Sequence, residues 1–199
     1  MQANGNTRVE EAGKIKDPGT LQAYALGDAV VPPLPVPGIR FALLEPAQRQ
    51  ALAAAMHEPD SVVQARLREG GRAALALTAE GRIAGYGWIR YGAIQIDDLH
   101  YRLPLPQDHA YIWDCLTIPE LRGRGIFPGL LRFMLEALRQ EGMRYAWAGV
   151  APGNVASLHA FARAGFHAVA HIGIVGEAVR LRMLDEARPY EVAILSGGR

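Results

Sequence analysis

The segment Ile118-Pro119-Glu120-Leu121-Arg122-Gly123-Arg124-Gly125-Ile126-Phe127-Pro128 has residue types and a spacing suited to holding an anion. Gly123 and Gly125 let the backbone turn its N–H groups inward with no Cβ in the way, and the free N–H groups and dipole of a following helix would point the same way. Pro128 suits a first helical turn, because its missing N–H would have had no partner inside the helix, although it also removes one donor. Arg122 and Arg124 add positive charge, each worth about a kcal/mol or less if exposed. The chemistry is phosphate binding of a restricted kind. No Lys-Ser or Lys-Thr pair follows the glycines, so this is not the loop that holds a terminal nucleotide phosphate and magnesium. Nor is the spacing Gly-x-Gly-x-x-Gly, and no acidic residue closes a following strand to take a ribose.

The elements that must position this turn are legible on both sides of it. Residues 110–117, apolar and aromatic but for Asp114, read as a strand, and residues 129–139 as a helix with Leu130, Leu131, Met134, Leu135 and Leu138 at helical spacing. A second strand, 145–150, leads into Ala151-Pro152-Gly153-Asn154 and a short helix carrying Ser157, Phe161 and Ala164 before Gly165-Phe166. Upstream, the pattern predicts a strand at 40–44, helices at 46–56 and 60–69, and strands at 72–78 and 82–91 about the turn Ala79-Glu80-Gly81. Residues 94–106 read as a loop or short edge strand, and 167–175 with 178–183 as a final hairpin. Residues 1–37 hold Asp17-Pro18-Gly19 and most of the Pro-rich run from Val31 to Gly38, which cannot continue a helix or serve a central strand. They read as an arm or linker: a disordered tail, or a segment packed on the domain or on a second subunit, which leaves a homodimer open. Residues 38–199 form the domain proper.

Arg122-Gly123-Arg124-Gly125-Ile126 resembles the pyrophosphate turn of the GNAT acyltransferases, whose usual form is Gln/Arg-x-x-Gly-x-Gly; Glu120 occupies the first place of that pattern. Asn154-x-x-Ser157-x-x-x-Phe161-x-x-x-Gly165-Phe166 is similar to the family's second signature segment. The likeness covers residues 40–184 by order of elements and is specific from Tyr111 to Phe166. It implies an α/β (α+β) GNAT fold, a central mixed, mostly antiparallel sheet flanked by helices, with a V-shaped splay between its fourth and fifth strands. It also implies acetyl-CoA as co-substrate. Main-chain groups of Cys115, Leu116 and Thr117 would bond pantetheine as an added strand does, and Arg122, Gly123, Arg124, Gly125, Ile126 and Phe127 would hold the diphosphate. Asn154, Ser157 and Phe161 would flank the pantetheine arm. The implied reaction is transfer of an acetyl group to a primary amine of a small-molecule or peptide acceptor, by direct attack in a ternary complex.

The chain departs from that family where the proton chemistry belongs. Many members carry a Tyr where Phe161 stands, and Phe161 can donate nothing. Many carry a carboxylate where Gly149 stands. Tyr111 and Asp114 are the replacement candidates on the strand before the glycine turn, with His109, His159 and Tyr91 behind them. Asp114 is the only charge on that strand, so it either has partners inside or an unusual pKa. An acyl-Cys115 is disfavoured, because a thiol in an apolar strand is a poor nucleophile. Trp88, Trp113 and Trp147 either line an acceptor pocket or form plain core. Two other readings stay open: a catalytically silent acyl-CoA-binding or regulatory module, and a transferase using a longer acyl donor.

Composition narrows the remaining classes. A chain of 199 residues, half of them hydrophobic, can bury one full core. No apolar run reaches the length of a bilayer span, and the start, Met1-Gln2-Ala3-Asn4-Gly5, has no apolar leader, so a cytoplasmic protein with no membrane partner is expected. The single Cys115 and the lack of metal-spaced Cys/His clusters suggest a reducing compartment and a metal-free site. A net charge of +1 gives no basic field for nucleic acid.

Overall fold

The computed structural model describes residues 16–27, 34–96, 101–175 and 178–184. In chain order the elements are β1 Lys16–Ala25, β2 Ile39–Leu43, α1 Arg49–Met56, α2 Asp60–Arg68, β3 Arg72–Thr78, β4 Ile83–Tyr91, β5 Ala93–Ile96, β6 Tyr101–Pro104, β7 His109–Thr117, α3 Ile126–Gln140, β8 Tyr145–Val150, α4 Val155–Ala164, β9 His167–Val175 and β10 Ala178–Met183. Eight strands form one sheet in the order β10-β9-β1-β8-β7-β4-β3-β2, and β5 pairs only with β6. β7 and β8 run parallel; the other neighbours in the large sheet are antiparallel.

Strand periodicity divides the core into two faces. Ala110 and Ile112 of β7 and Ala146, Ala148 and Val150 of β8 pack under α3 and α4. Their neighbours Tyr111 and Trp147 point the other way and are covered by Ile94 and Leu105, at and just beyond the β5–β6 hairpin. On that second face α1 and α2 cover β3 and β4 through Leu52, Val63, Leu75 and Trp88. The region expected as a loop or edge strand at 94–106 is therefore a hairpin that roofs the sheet.

The expected arm is corrected over part of its length. Lys16–Ala25 is a strand between β8 and β9, with Leu21 opposite Gly149 on one side and Ala170 on the other. Leu21 and Ala23 sit in the core beside Trp147. Pro18 and Gly19 argued against a central strand, but the irregular pairing between Lys16 and Gly19 accommodates them. Residues 1–15 and 28–33 of that arm, and the Gly176-Glu177 turn, lie outside the described residues. Helix α3 starts at Ile126, three residues before the predicted start at Gly129, because Gly125 caps it directly. The predicted helix at 46–56 opens with a 3₁₀ turn, Pro46–Gln48.

The parallel pair β7–β8 is registered only from His109↔Tyr145 to Ile112↔Ala148. Beyond Ile112, β7 continues to Thr117 with no partner on its β8 side, which is the V-shaped splay expected between the fourth and fifth strands of the family's sheet. A bulge produces it. Tyr86 faces Leu116 and Trp88 faces Trp113, so Gly87 alone opposes both Asp114 and Cys115. Asp114 has φ of 43°, a left-handed conformation that bends the strand. At the closed end the Trp147 indole donates to His109 Nδ1 at 3.0 Å, and the Tyr145 ring lies tilted against His109, their centroids 4.7 Å apart. Burial lowers the pKa of His109, which suits an imidazole that accepts through Nδ1.

Because Leu21 is 1% exposed in a strand paired on both sides, Leu21→Ala should cost about 2–5 kcal/mol in urea unfolding. An unchanged midpoint would restore the reading of this segment as an arm.

Candidate active site

The splay opens onto a cleft of about 650 Å³. Its walls are Cys115, Leu116 and Thr117 from the free edge of β7, Arg122, Gly123, Gly125, Ile126, Phe127 and Pro128 from the turn and first residues of α3, and Asn154, Ala156, Ser157, His159, Ala160 and Arg163 from α4. Most residues expected to hold the carrier are thus brought together. Two are not. Arg124 lies outside the lining, and Phe161 is buried, edge-on to Phe127 at 5.6 Å and to Phe166 at 4.9 Å. Phe161 holds α4 against α3 and presents nothing to the cleft.

The turn is built as its glycines predict. Gly123 and Gly125 have φ of 77° and 76°, conformations costly for other residues, and nothing stands within 4 Å of where their Cβ atoms would be. The first α-helical bond is Gly129 N–H to Gly125 O, at 3.1 Å. The N–H groups of Gly125, Ile126 and Phe127 therefore precede any acceptor inside α3, and they face the cleft together with its dipole. Pro128, the third residue of α3, removes the fourth donor. On the opposite wall Asn154 caps α4, its side chain accepting from the Ser157 N–H at 3.1 Å.

The side chains in the lining include no acid, whereas Arg122, His159 and Arg163 are exposed in it. Sequence reasoning passed over Arg163 and offered His159 only as a further proton-handling candidate, not as part of the carrier's wall. The signal was the stripe Ala156, His159/Ala160, Arg163 on one face of α4, readable once Asn154 is placed as the cap. Arg122 also folds back, its Nε donating to the Thr117 carbonyl at 3.2 Å. That carbonyl already has a donor inside the protein.

Cys115 contributes its backbone to the cleft and its thiol to the core. The sulfur lies 2.9 Å from where a Gly87 Cβ would be, beside Met134 of α3, and donates to the Trp113 carbonyl at 3.5 Å. Burial pushes the thiol up to about 12, which leaves almost no thiolate near neutral pH. The two proton-handling candidates do not line the cleft either. Tyr111 is 5% exposed, and its hydroxyl sits 2.9 Å from where a Gly149 Cβ would be. Gly149 is the place of the family's carboxylate, so the phenol fills the volume that a side chain there would take. Asp114 pairs with Arg66 of α2 and accepts from the Tyr86 hydroxyl at 3.5 Å. The Tyr86 phenol is pushed up to about 12, by burial first and by the Asp114 charge second. Of the further candidates, His109 is buried at the closed end, and the Tyr91 hydroxyl is tied to Glu141 at 2.7 Å.

The family model described as Acetyltransferase (GNAT) family matches residues 40–166, more than half of the chain. Among solved structures, a GCN5-related N-acetyltransferase from Sphaerobacter thermophilus aligns with 20% identity over 85% of this chain and 54% of its own, with a TM-score of 0.56. A GNAT-family acetyltransferase from Colwellia psychrerythraea aligns with 18% identity over 87% and 58%, with a TM-score of 0.59. One from Streptococcus pneumoniae aligns with 16% identity over 72% and 99%, with a TM-score of 0.52. This chain thus spans little more than half the length of the first two. No curated protein matches it. The chain belongs to the GNAT acetyltransferase family. Among the described residues no group of His, Cys, Asp and Glu could hold a metal ion, and no helix is long and apolar enough to cross a membrane.

With its pKa near 12 and its sulfur in the core, Cys115 should resist alkylation by iodoacetamide at pH 8 in the native protein and react once urea unfolds it. The raised pKa has a stability counterpart. The folded state holds the thiol proton more tightly than the unfolded chain, so this contribution is complete below about pH 9 and is lost between pH 9 and about 12. Rapid native labelling would place the sulfur at the cleft.

Proposed function

We propose that the protein is an N-acetyltransferase that moves an acetyl group from acetyl-CoA to the primary amine of a small-molecule or peptide acceptor, by direct attack within a ternary complex. The observation that carries this reading is the single cleft joining a free strand edge to a glycine turn at a helix N-terminus. A thioester carrier with an amide-bearing arm and a diphosphate is matched to both ends: its amides to the main chain of residues 115–117, its diphosphate to the N–H groups of residues 123–127 with Arg122. Arg163 and His159 add positive charge on the opposite wall. The acid-free lining supports a polyanionic ligand, and no metal is required. With one cysteine, held reduced in the core, the protein suits a cytoplasmic setting.

In the reaction the amine lone pair attacks the thioester carbonyl carbon, the C–S bond breaks, and the nitrogen's proton ends on the departing sulfur as CoA thiol. Deprotonating a lysine-like amine at pH 7 costs roughly 4.6 kcal/mol. Holding amine and thioester in register contributes about 7–11 kcal/mol, so positioning outweighs the missing Tyr and carboxylate of the family pattern. Tyr111 is the group we assign to the proton, because its hydroxyl occupies the place of the absent carboxylate beside Gly149. Asp114 is committed to Arg66 and serves the geometry of the bulge. The buried Cys115 excludes an acyl-cysteine intermediate.

Calorimetry with acetyl-CoA should show saturable binding that Gly125→Val weakens at least about tenfold, since a β-branched residue is strained at that φ. Unchanged binding would remove the turn from the site. Tyr111→Phe should leave acetyl-CoA affinity intact and lower kcat on an accepted amine by about 10²-fold. An unaltered kcat would return Tyr111 to the core. Saturable binding with no CoA thiol released to any amine would favour a silent acyl-CoA-binding module.

A further inference from the structure

Four buried side-chain N or O atoms have no hydrogen-bond partner among the described residues: Trp88 Nε1, Arg90 Nη1, Trp113 Nε1 and Thr117 Oγ1. All four lie on β4 and β7, the pair that borders the splay. Leaving a buried donor unmade costs about 1–3 kcal/mol, and such groups call for an explanation in function.

Three of them are donors in one cluster. Trp88 and Trp113 face each other across the ladder, with ring centroids 6.2 Å apart. The Arg90 guanidinium lies 4.5 Å from the Trp113 ring centre, and that of Arg66 lies 4.3 Å from it and 5.1 Å from the Trp88 ring. The two cations are committed differently. Arg66 pairs with Asp114. Arg90, 14% exposed, has only Glu69 at 3.7 Å from Nη2, and Glu69 is 66% exposed, so that contact is solvent-screened and easily replaced. Its Nη1 is covered, so the reachable part of the guanidinium is the edge that Glu69 approaches. Both indole N–H groups are covered as well, so the part of the cluster open to a ligand is the weakly held edge of the Arg90 guanidinium. The cluster stands on the second sheet face, with Trp113 two residues along β7 from Cys115, where the cleft begins.

Resting on the acetyltransferase reading, we infer that the acceptor is an amine that also carries a carboxylate, and that Arg90, its plane set against the Trp113 ring, receives that carboxylate. A guanidinium is a planar fork of donors that matches a carboxylate in two bonds, and stacking on an indole fixes its plane in advance. The carboxylate would take over the edge of Arg90 now shared with Glu69.

The test compares amino acids with their decarboxylated amines (phenylalanine with phenethylamine, leucine with 3-methylbutylamine, lysine with cadaverine), following CoA thiol release at saturating acetyl-CoA. At least one α-carboxylate partner should exceed its decarboxylated counterpart by about tenfold or more in kcat/KM. Arg90→Gln should erase that preference by raising KM while acetyl-CoA affinity, measured by calorimetry, stays unchanged, and Arg90→Lys should restore part of it. Trp113→Leu, which removes the ring against which the guanidinium lies, should weaken it without loss of the fold by circular dichroism. Equal rates within every pair, or a preference that survives Arg90→Gln, would overturn the inference and leave the acetyltransferase reading standing. Failure of acetyl-CoA to bind the wild-type chain would instead overturn that reading, and this inference with it.

Discussion

The site depends on two parallel strands being held together at one end and forced apart at the other. Hydrogen bonding between β7 and β8 stops after Ile112 and Ala148. Each backbone group left unpaired along residues 113–117 would be costly if buried dry. The cost is contained because the bulge at Asp114–Cys115 turns that edge toward the cleft. Gly87 gives the Cys115 sulfur room on the opposite strand. The His109–Trp147 hydrogen bond and the tilted ring contact with Tyr145 hold the closed end, so the opening does not run the length of the sheet.

From that constraint the remaining architecture follows. Opened strands expose an edge that only an extended, amide-bearing ligand can complete. The chain leaving β7 turns through Gly123 and Gly125 directly into α3, which sets the positive end of a long helix at the mouth of the same opening. Helix α4 closes the far wall, locked to α3 through Phe127, Phe161 and Phe166. Phe161 thus serves the seam between the two helices that define the cleft. On the other sheet face, the hairpin after β4 and the helices α1 and α2 leave Arg66, Arg90 and two indoles beside the bulge. The cleft and this cluster thus meet at one distorted residue pair, Asp114 and Cys115.

Much of this was legible in the chain, and what was not has a physical reason. The glycine turn and both helices were readable because helix caps and left-handed turns are local: Gly125 and Asn154 act within four residues of their own positions. The splay came only through family resemblance, since the register of a parallel pair depends on residues in distant segments. β1 was missed for the same reason. Pro18-Gly19 looks like punctuation, and the two partners that make Leu21 a core residue lie far along the chain. The contact of the Tyr111 hydroxyl with Gly149 was not legible either, because it needs the pairing of Tyr111 with Trp147 in a distant segment. Asp114 was read as a lone charge needing a partner, and that partner, Arg66, arrives from α2, an element whose docking no local pattern states.

The central claim is that backbone amides on the free edge of β7 and at the start of α3 bind one thioester carrier. Amide hydrogen exchange, with and without saturating acetyl-CoA, tests it most directly. The account predicts new protection confined to two segments, residues 115–117 and 123–127, while β2 and β3 exchange as before. Protection absent from both segments, or appearing only on the far edge of the sheet, would contradict it.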